Sequence, residues 1–161
     1  MRTRIISSLA LVVLVLGMTG CGGGGDGAST ASQRKAVSEV SLAGLDQTVG
    51  GIQLNLNIPP GVTVQTDAAG VSSGVVELVG ASGSSNMQKT YTTDPVTGRG
   101  RLMLLIIEPG GFTANQSIRI HLNITGSIPQ TAEFTIDSLL ISDLNGRTIS
   151  GLTPDFTVEI I

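Results

Sequence analysis

The sequence contains one cysteine, one histidine, one tyrosine and no tryptophan in its 161 residues. A single cysteine excludes an internal disulfide, so the fold has to be held by its own core. One histidine and one cysteine are too few for a zinc site, which needs three or four protein ligands. We therefore expect no disulfide framework and no metal centre, and nothing in the sequence indicates a cofactor.

Basic and aromatic residues are also few. The chain has 9 lysines and arginines against 12 aspartates and glutamates, a formal net charge of −3. Nucleic-acid binding depends on neutralisation of phosphates by Lys and Arg, so this balance argues against DNA or RNA as a partner. Phenylalanine occurs three times and tyrosine once, which leaves little material for the aromatic platforms that normally bind sugars.

The amino terminus has the features of a secretory signal peptide. The start is basic, residues 5–16 are nearly all apolar, and the small pair Thr19-Gly20 precedes Cys21. The apolar run is too short to cross ~30 Å of hydrocarbon, which takes about 20 residues. A charged start, a short apolar run and small residues at the cleavage position are typical of signal peptides. We predict that residues 1–20 are the signal peptide.

The residues around Cys21 resemble the lipobox of bacterial lipoproteins. The usual motif has leucine three residues before the cysteine, where this chain has Met18. The resemblance implies a diacylglycerol on the Cys21 thiol and an acyl chain on its amino group. Several chains are needed for a stable anchor, because each buried methylene contributes only ~0.8 kcal/mol. The alternative is a secreted protein without lipid.

The residue after the cysteine bears on location. By the same resemblance, aspartate at that position commonly retains a lipoprotein in the inner membrane, whereas this chain has Gly22. In a Gram-negative cell we therefore expect the outer membrane, with the domain facing the periplasm or the cell surface.

The rest of the chain reads as a tether and one domain. The segment after Cys21 is rich in glycine and serine, a composition that behaves as a flexible coil, and we assign residues 21–33 to the tether. In residues 34–161, the frequent β-branched residues favour strands and the scattered glycines favour turns. Short strands between turns predict an all-β fold, a single β-sandwich of jelly-roll or immunoglobulin-like type with about eight or nine strands.

Alternation predicts which strand faces are buried. In residues 51–58 and again in residues 117–124, every second residue is aliphatic and its neighbours are polar. Period two predicts one face on a core and the other in water, so Leu54 and Leu56 are predicted core residues.

Two other stretches lack clear alternation. Residues 102–107 are all apolar, which predicts a strand covered on both faces, and the Pro-Gly-Gly sequence at residues 109–111 is expected to end it. Residues 36–42 alternate only weakly and are predicted to form an edge strand.

The order of these patterns resembles cohesin-like domains. Residues 50–64, GGIQLNLNIPPGVTV, resemble the third and fourth cohesin strands, in which an alternating strand passes through a proline turn into a short Val-x-Val strand. Residues 139–149 and 157–160 resemble the last two strands. The resemblance covers about residues 49–161 and implies a nine-stranded jelly-roll sandwich that binds dockerin modules of cell-surface assemblies. The leading pair of strands is shorter than in cohesins and is expected at residues 35–42 and 46–49.

A hairpin with its turn centred on Pro95 is the candidate interaction site. In this register Tyr91 lies opposite Arg99 and Lys89 opposite Arg101, and opposed side chains are ~5 Å apart. The resemblance implies that these strands contribute to a dockerin-binding face. A basic cluster that continues into an apolar strip predicts a docking surface on an otherwise acidic protein. The predicted partner-binding residues are Lys89, Tyr91, Arg99, Arg101, Met103 and Leu105.

Two alternatives remain open at this point. In the first, the amino-terminal segment of the chain covers the apolar residues of the hairpin, among them Ile107, and leaves no docking surface. In the second, the domain is a carbohydrate-binding module of the cell surface, with Tyr91 and Phe112 as the ring platforms for a polysaccharide.

Residues with reactive side chains do not form a catalytic set in the sequence. His121 is predicted to face solvent without a nucleophile beside it, and we expect no catalytic residues. Asp143 and Asn145 are spaced like the start of a calcium loop, but Pro154 occupies the position of the closing glutamate, so a plain turn is predicted. The sequence therefore favours a lipid-anchored, non-enzymatic binding or structural domain that mediates protein–protein contacts at the cell envelope.

Overall fold

A computed structural model describes residues 34–41, 49–80, 85–113 and 115–161. The chain divides into two units, Met1–Ala31 and Ser32–Ile161, and every described residue belongs to the second. The predicted signal peptide, Cys21 and the tether lie outside the described residues.

Within the described ranges the chain forms eleven strands and one short 3₁₀ turn. The strands are β1 (Lys35–Ser41), β2 (Val49–Ile58), β3 (Val62–Thr63), β4 (Thr66–Asp67), β5 (Gly70–Val71), β6 (Val76–Val79), β7 (Asn86–Thr93), β8 (Gly100–Phe112), β9 (Ser117–Ile124), β10 (Thr135–Asp143) and β11 (Asp155–Ile160), and the 3₁₀ turn is Thr131–Glu133. In this part of the chain, no helix has the length and apolar content to cross a membrane.

The strands form two larger sheets, and all of their pairings are antiparallel. The five-stranded sheet has the order β11-β1-β9-β3, with β6 also paired to β9, and the four-stranded sheet has the order β10-β2-β8-β7. β4 and β5 make a small separate hairpin. The predicted all-β sandwich is confirmed, and the two larger sheets together contain nine strands, roughly the number predicted.

The core lies between the inner faces of the two sheets. From the four-stranded sheet it includes the predicted Leu54 and Leu56, and from the five-stranded sheet Ile118, Ile120 and Leu122, none more than 1% exposed. Their alternation with polar neighbours is what a strand with one buried face requires.

β8 differs from its prediction in two ways. It alternates: Leu102, Leu104 and Ile106 are buried, while the residues between them are exposed, so only one face is covered. A strand made wholly of apolar residues carries no sequence signal for which face is inward. β8 also continues through Pro109 to Phe112, because its register with β2 is irregular there and a proline is tolerated at a bulge.

The weak alternation predicted that β1 is an edge strand, and this prediction is wrong. It pairs with β11 on one side and with β9 on the other. Ala36, Ser38 and Val40 point into the core and are fully buried. The small Ala36 and the polar Ser38 on the inner face are what obscured the pattern.

The two ends of the sandwich carry different segments. At one end, Arg34 precedes β1, Lys35 pairs with Ile161, and the loops of residues 59–61, 94–99 and 125–134 connect the strands. We call this the Arg34 end. At the other end, the turn after β10 begins at Asp143, and we call it the Asp143 end.

Candidate interaction surface

The outer face of the four-stranded sheet carries an exposed apolar strip. Met103, Leu105 and Ile107 project from β8 away from the core and are 44%, 37% and 46% exposed. β8 lies between β2 and β7, so the strip runs along the interior of the sheet face. Among the described residues, nothing covers it.

Uncharged polar side chains border the strip on both sides. On β2, Asn55 lies opposite Met103 and Gln53 opposite Leu105. On β7, the residues opposite the strip are Asn86, Gln88 and Thr90. The face therefore combines aliphatic side chains with amides and hydroxyls, which are groups that can donate and accept hydrogen bonds without carrying charge.

The amide of Asn55 is held in place by the neighbouring strand. Its Nδ2 donates to Ser138 Oγ on β10 at 2.6 Å, while its Oδ1 is buried with no hydrogen-bond partner among the described residues. A buried acceptor without a donor is costly. This oxygen lies beside Met103 in the sheet but is not open to a bound molecule, so the Asn55 amide ties β2 to β10.

Over the described strands, charged side chains occur on this face only near the Arg34 end. Arg101 Nη2 lies 3.3 Å from Asp137 Oδ2, and both side chains are about half exposed. Beside them an open cavity of about 460 Å³ is lined by residues that include Asn57, Thr92, Arg99 and Arg101. An exposed pair of this kind contributes little to stability, so Arg101 can exchange Asp137 for another anion at low cost.

The register of the β7–β8 hairpin differs from the prediction. Tyr91 lies opposite Leu102 and Lys89 opposite Leu104, so both side chains point toward the core side of the sheet. Thr92 is the residue opposite Arg101. Of the six predicted partner-binding residues, Arg101, Met103 and Leu105 share the outer face, Arg99 lies in the loop at its end, and Lys89 and Tyr91 do not belong to it.

Hydrogen bonds accepted by the Asp94 side chain explain the shifted register. Its Oδ1 accepts from the backbone N–H of Val96 at 2.8 Å and of Thr97 at 3.3 Å, and these donors, Val96 first, lower the pKa of the Asp94 carboxyl. The loop closes by a bond from Asp94 N to Arg99 O at 2.8 Å. The turn is therefore centred beyond Pro95, and an aspartate at its first position was the sequence signal that pointed to this.

Lys89 and Tyr91 have structural contacts instead. Lys89 Nζ donates to the backbone oxygen of Ser72 at 3.1 Å, which ties β7 to the segment after β5. The Tyr91 ring packs on the core. Phe112 is 1% exposed, so the two rings expected to serve a sugar platform are not on an open surface.

The outer face of the five-stranded sheet has a different chemistry. Glu39 accepts from Ser117 Oγ at 2.7 Å and from Arg119 Nη2 at 3.2 Å, and these contacts lower the pKa of the Glu39 carboxyl. Glu77 Oε2 lies 3.3 Å from His121 Nε2. Glu39 and Arg119 form an ion pair on this face, whereas the outer face of the four-stranded sheet carries the exposed apolar strip.

His121 projects outward from β9, as predicted, but the sequence did not reveal its neighbour Glu77. The two residues are far apart in sequence and meet only because β6 pairs with β9. Over the described ranges, no group of three or more His, Cys, Asp or Glu side chains is arranged to hold a metal ion.

The predicted turn at Asp143 is confirmed. Asp143 Oδ1 accepts from the backbone N–H of Asn145 at 2.8 Å and of Arg147 at 2.9 Å, and Gly146 has a φ of 76°. These bonds, that of Arg147 first, lower the pKa of the Asp143 carboxyl. The carboxylate is used to shape the turn.

Comparisons with models of protein families, with curated proteins and with solved structures find no match to this chain.

Proposed function

We propose that this chain is a lipid-anchored, non-enzymatic binding domain of the cell envelope that docks a protein partner on the outer face of its four-stranded sheet. The observation that carries the proposal is the exposed strip of Met103, Leu105 and Ile107 along an uncharged, hydrogen-bonding face. The lipid anchor is Cys21, proposed from the lipobox resemblance.

The strip has the properties of an interface centre. Full burial of a large aliphatic side chain is favourable by ~1.5–3 kcal/mol, and the three side chains project from a paired strand, so little ordering is needed on binding. The polar border supplies hydrogen bonds around an apolar centre, as in typical protein interfaces.

The resemblance to cohesin-like domains supports a partner of dockerin type. The resemblance implies a nine-stranded jelly roll, and the two larger sheets contain five and four strands. It also implies that strands equivalent to the β7–β8 hairpin take part in partner binding. Arg101 at one end of the strip favours a partner with a carboxylate at the matching position.

A surface polysaccharide is the second candidate. Gln53 and Gln88 present planar amides beside the strip, and amides can pair with sugar hydroxyls in both directions. Such binding would use these amides rather than Tyr91 and Phe112.

The test compares two variants of the full-length protein as baits for detergent-solubilised envelope. Met103→Gln with Leu105→Gln removes the apolar strip, while Leu144→Gln changes a residue of similar exposure at the Asp143 end. Proteins captured by wild type and by Leu144→Gln, and lost from the double variant, support the proposal. Equal capture by all three would refute this face. Glycan binding lost from a Gln53→Ala and Gln88→Ala variant would favour the second candidate.

A further inference from the structure

The Arg34 end of the sandwich carries exposed apolar side chains that the fold does not use. Val96 at the tip of the β7–β8 loop is 90% exposed, Ile161 is 61% exposed and Ile128 is 51% exposed. The hydrogen bonds of Asp94 to the Val96 and Thr97 N–H groups fix the loop in shape, so Val96 is held outward.

Basic side chains gather at the same end. Arg34, Lys35, Arg99 and Arg101 all lie there and all are exposed. They are four of the seven lysines and arginines that follow the predicted signal peptide.

Three carboxylates at this end are engaged within the domain. Asp94 bonds its own loop, Glu133 Oε2 accepts from Gln130 N at 2.7 Å, and Asp137 pairs with Arg101. Arg34, Lys35 and Arg99 have no salt-bridge partner among the described residues, so this end presents three cations and the apolar tips to the outside, with Glu159 as an exposed carboxylate nearby. The Asp143 end carries one arginine, Arg147, together with Asp143 and Asp155.

We propose that the Arg34 end rests on the membrane and contacts anionic lipid headgroups, an inference that depends on the proposed anchor at Cys21. Exposed apolar side chains insert at the boundary between headgroups and acyl chains, and Lys and Arg near a bilayer surface are attracted to anionic lipids. The described chain begins at this end, so the predicted tether leads directly into it. A coil of this length spans about 20 Å on average, short enough to keep the Arg34 end near the lipid.

This orientation determines how the binding face is presented. The strands run from the Arg34 end to the Asp143 end, so the apolar strip of β8 stands upright on the membrane with Arg101 lowest. A partner then approaches sideways, along the membrane surface, rather than from above.

The test uses the acylated full-length protein in vesicles of phosphatidylethanolamine and phosphatidylglycerol. Cys21 is the only cysteine and its thiol is blocked by the lipid, so Val96→Cys and the matched control Leu144→Cys can each be labelled with an environment-sensitive dye. We expect a blue shift and quenching by a lipid-borne quencher for Val96→Cys and neither for Leu144→Cys. Adding Arg34→Gln, Lys35→Gln and Arg99→Gln should reduce the Val96→Cys quenching.

The possible results distinguish failure of the proposed membrane orientation from failure of the proposed lipid anchor. If wild type fails to float with the vesicles and its Cys21 reacts with the dye, both the anchor and the inference are contradicted. If the protein floats but the dye at Val96→Cys behaves like the dye at Leu144→Cys, the inference alone is overturned. A dye at Val96→Cys that is shielded only when another protein is added, and is not reached by the lipid-borne quencher, would also overturn it and indicate a protein contact.

Discussion

The ring of Tyr91 on β7 lies against the backbone of Gly100 on β8, so that a Cβ atom at Gly100 would be 2.7 Å from Tyr91 Cε2. Gly100 lies two residues from Leu102, the partner of Tyr91 in the register, and so on the same face of β8. Gly100 is the first residue of β8, and it leaves the space that the ring fills.

Substitution of Gly100 by alanine should destabilise the domain. The added methyl displaces the Tyr91 ring, and overpacking of this kind costs about 1–3 kcal/mol. Urea denaturation of wild type, Gly100→Ala, Tyr91→Ala and the double variant measures the coupling. In the Tyr91→Ala background the cost of Gly100→Ala should nearly vanish, and an unchanged cost would show that the ring is not the cause.

Gly50 and Gly51 on β2 should respond differently to the same change. A Cβ at Gly50 would lie 2.7 Å from Leu144 Cα and 2.8 Å from Asp143 O, which are backbone atoms, whereas a Cβ at Gly51 meets the Ser142 hydroxyl at 2.8 Å. A side chain can turn away and a paired backbone cannot. We expect Gly50→Ala to cost more than about 2 kcal/mol, since overpacking against fixed atoms lies at the high end, and Gly51→Ala clearly less. Reversed denaturation midpoints would contradict this reading of the β2–β10 contact.

Leu56 and Asn55 test the assignment of the β2 faces. Leu56 is fully buried, and its replacement by alanine should cost ~2–5 kcal/mol. Asn55→Ala removes the bond to Ser138 Oγ, a loss of ~0.5–1.5 kcal/mol, together with a buried amide oxygen that has no partner among the described residues. Similar urea midpoints for the two variants would contradict this assignment of the strand faces.

Acid should weaken the domain through its bonded carboxylates. Hydrogen bonds lower the folded-state pKa of Glu39, Asp94 and Asp143, and in the unfolded chain such groups titrate at about 3.9–4.3. The folded state therefore binds fewer protons, so stability is unaffected above that range and falls as the pH decreases through the folded values. Urea midpoints at neutral and acidic pH should show this loss. Ser117→Ala, which removes the main donor to Glu39, should lose less stability on acidification, and an identical loss would exclude Glu39 as a contributor.

The sequence predicted those parts of the fold whose signal is local. The faces of β2 and β9 follow from alternation, because one side of each strand is polar. Residues 102–107 of β8 are apolar on both sides, and only the position of β8 between β2 and β7 reveals that Met103 and Leu105 face outward. The place of β1 between β9 and β11 depends on pairings with distant residues, which weak alternation cannot encode.

The sequence predicted only part of the candidate site, again because strand pairing is not a local signal. The apolar residues of β8 and Arg101 were identified from their composition alone. Their grouping with Lys89 and Tyr91 depended on the hairpin register, which the Asp94 hydrogen bonds set. Gln53, Asn55 and Ser138 escaped sequence reasoning because they reach the strip only through the pairing of β10 and β2 with β8.

β1 and β11 are neighbours in the five-stranded sheet although they come from opposite ends of the domain's sequence. Closing a loop of that length has a large entropic cost, and folds dominated by distant pairings form slowly. In a chain exported behind a signal peptide, as proposed here, β1 emerges from the translocation channel long before β11 does. Under that proposal, we expect the domain to stay unfolded while it is threaded across the membrane and to assemble its sandwich only after residues 155–160 have reached the far side.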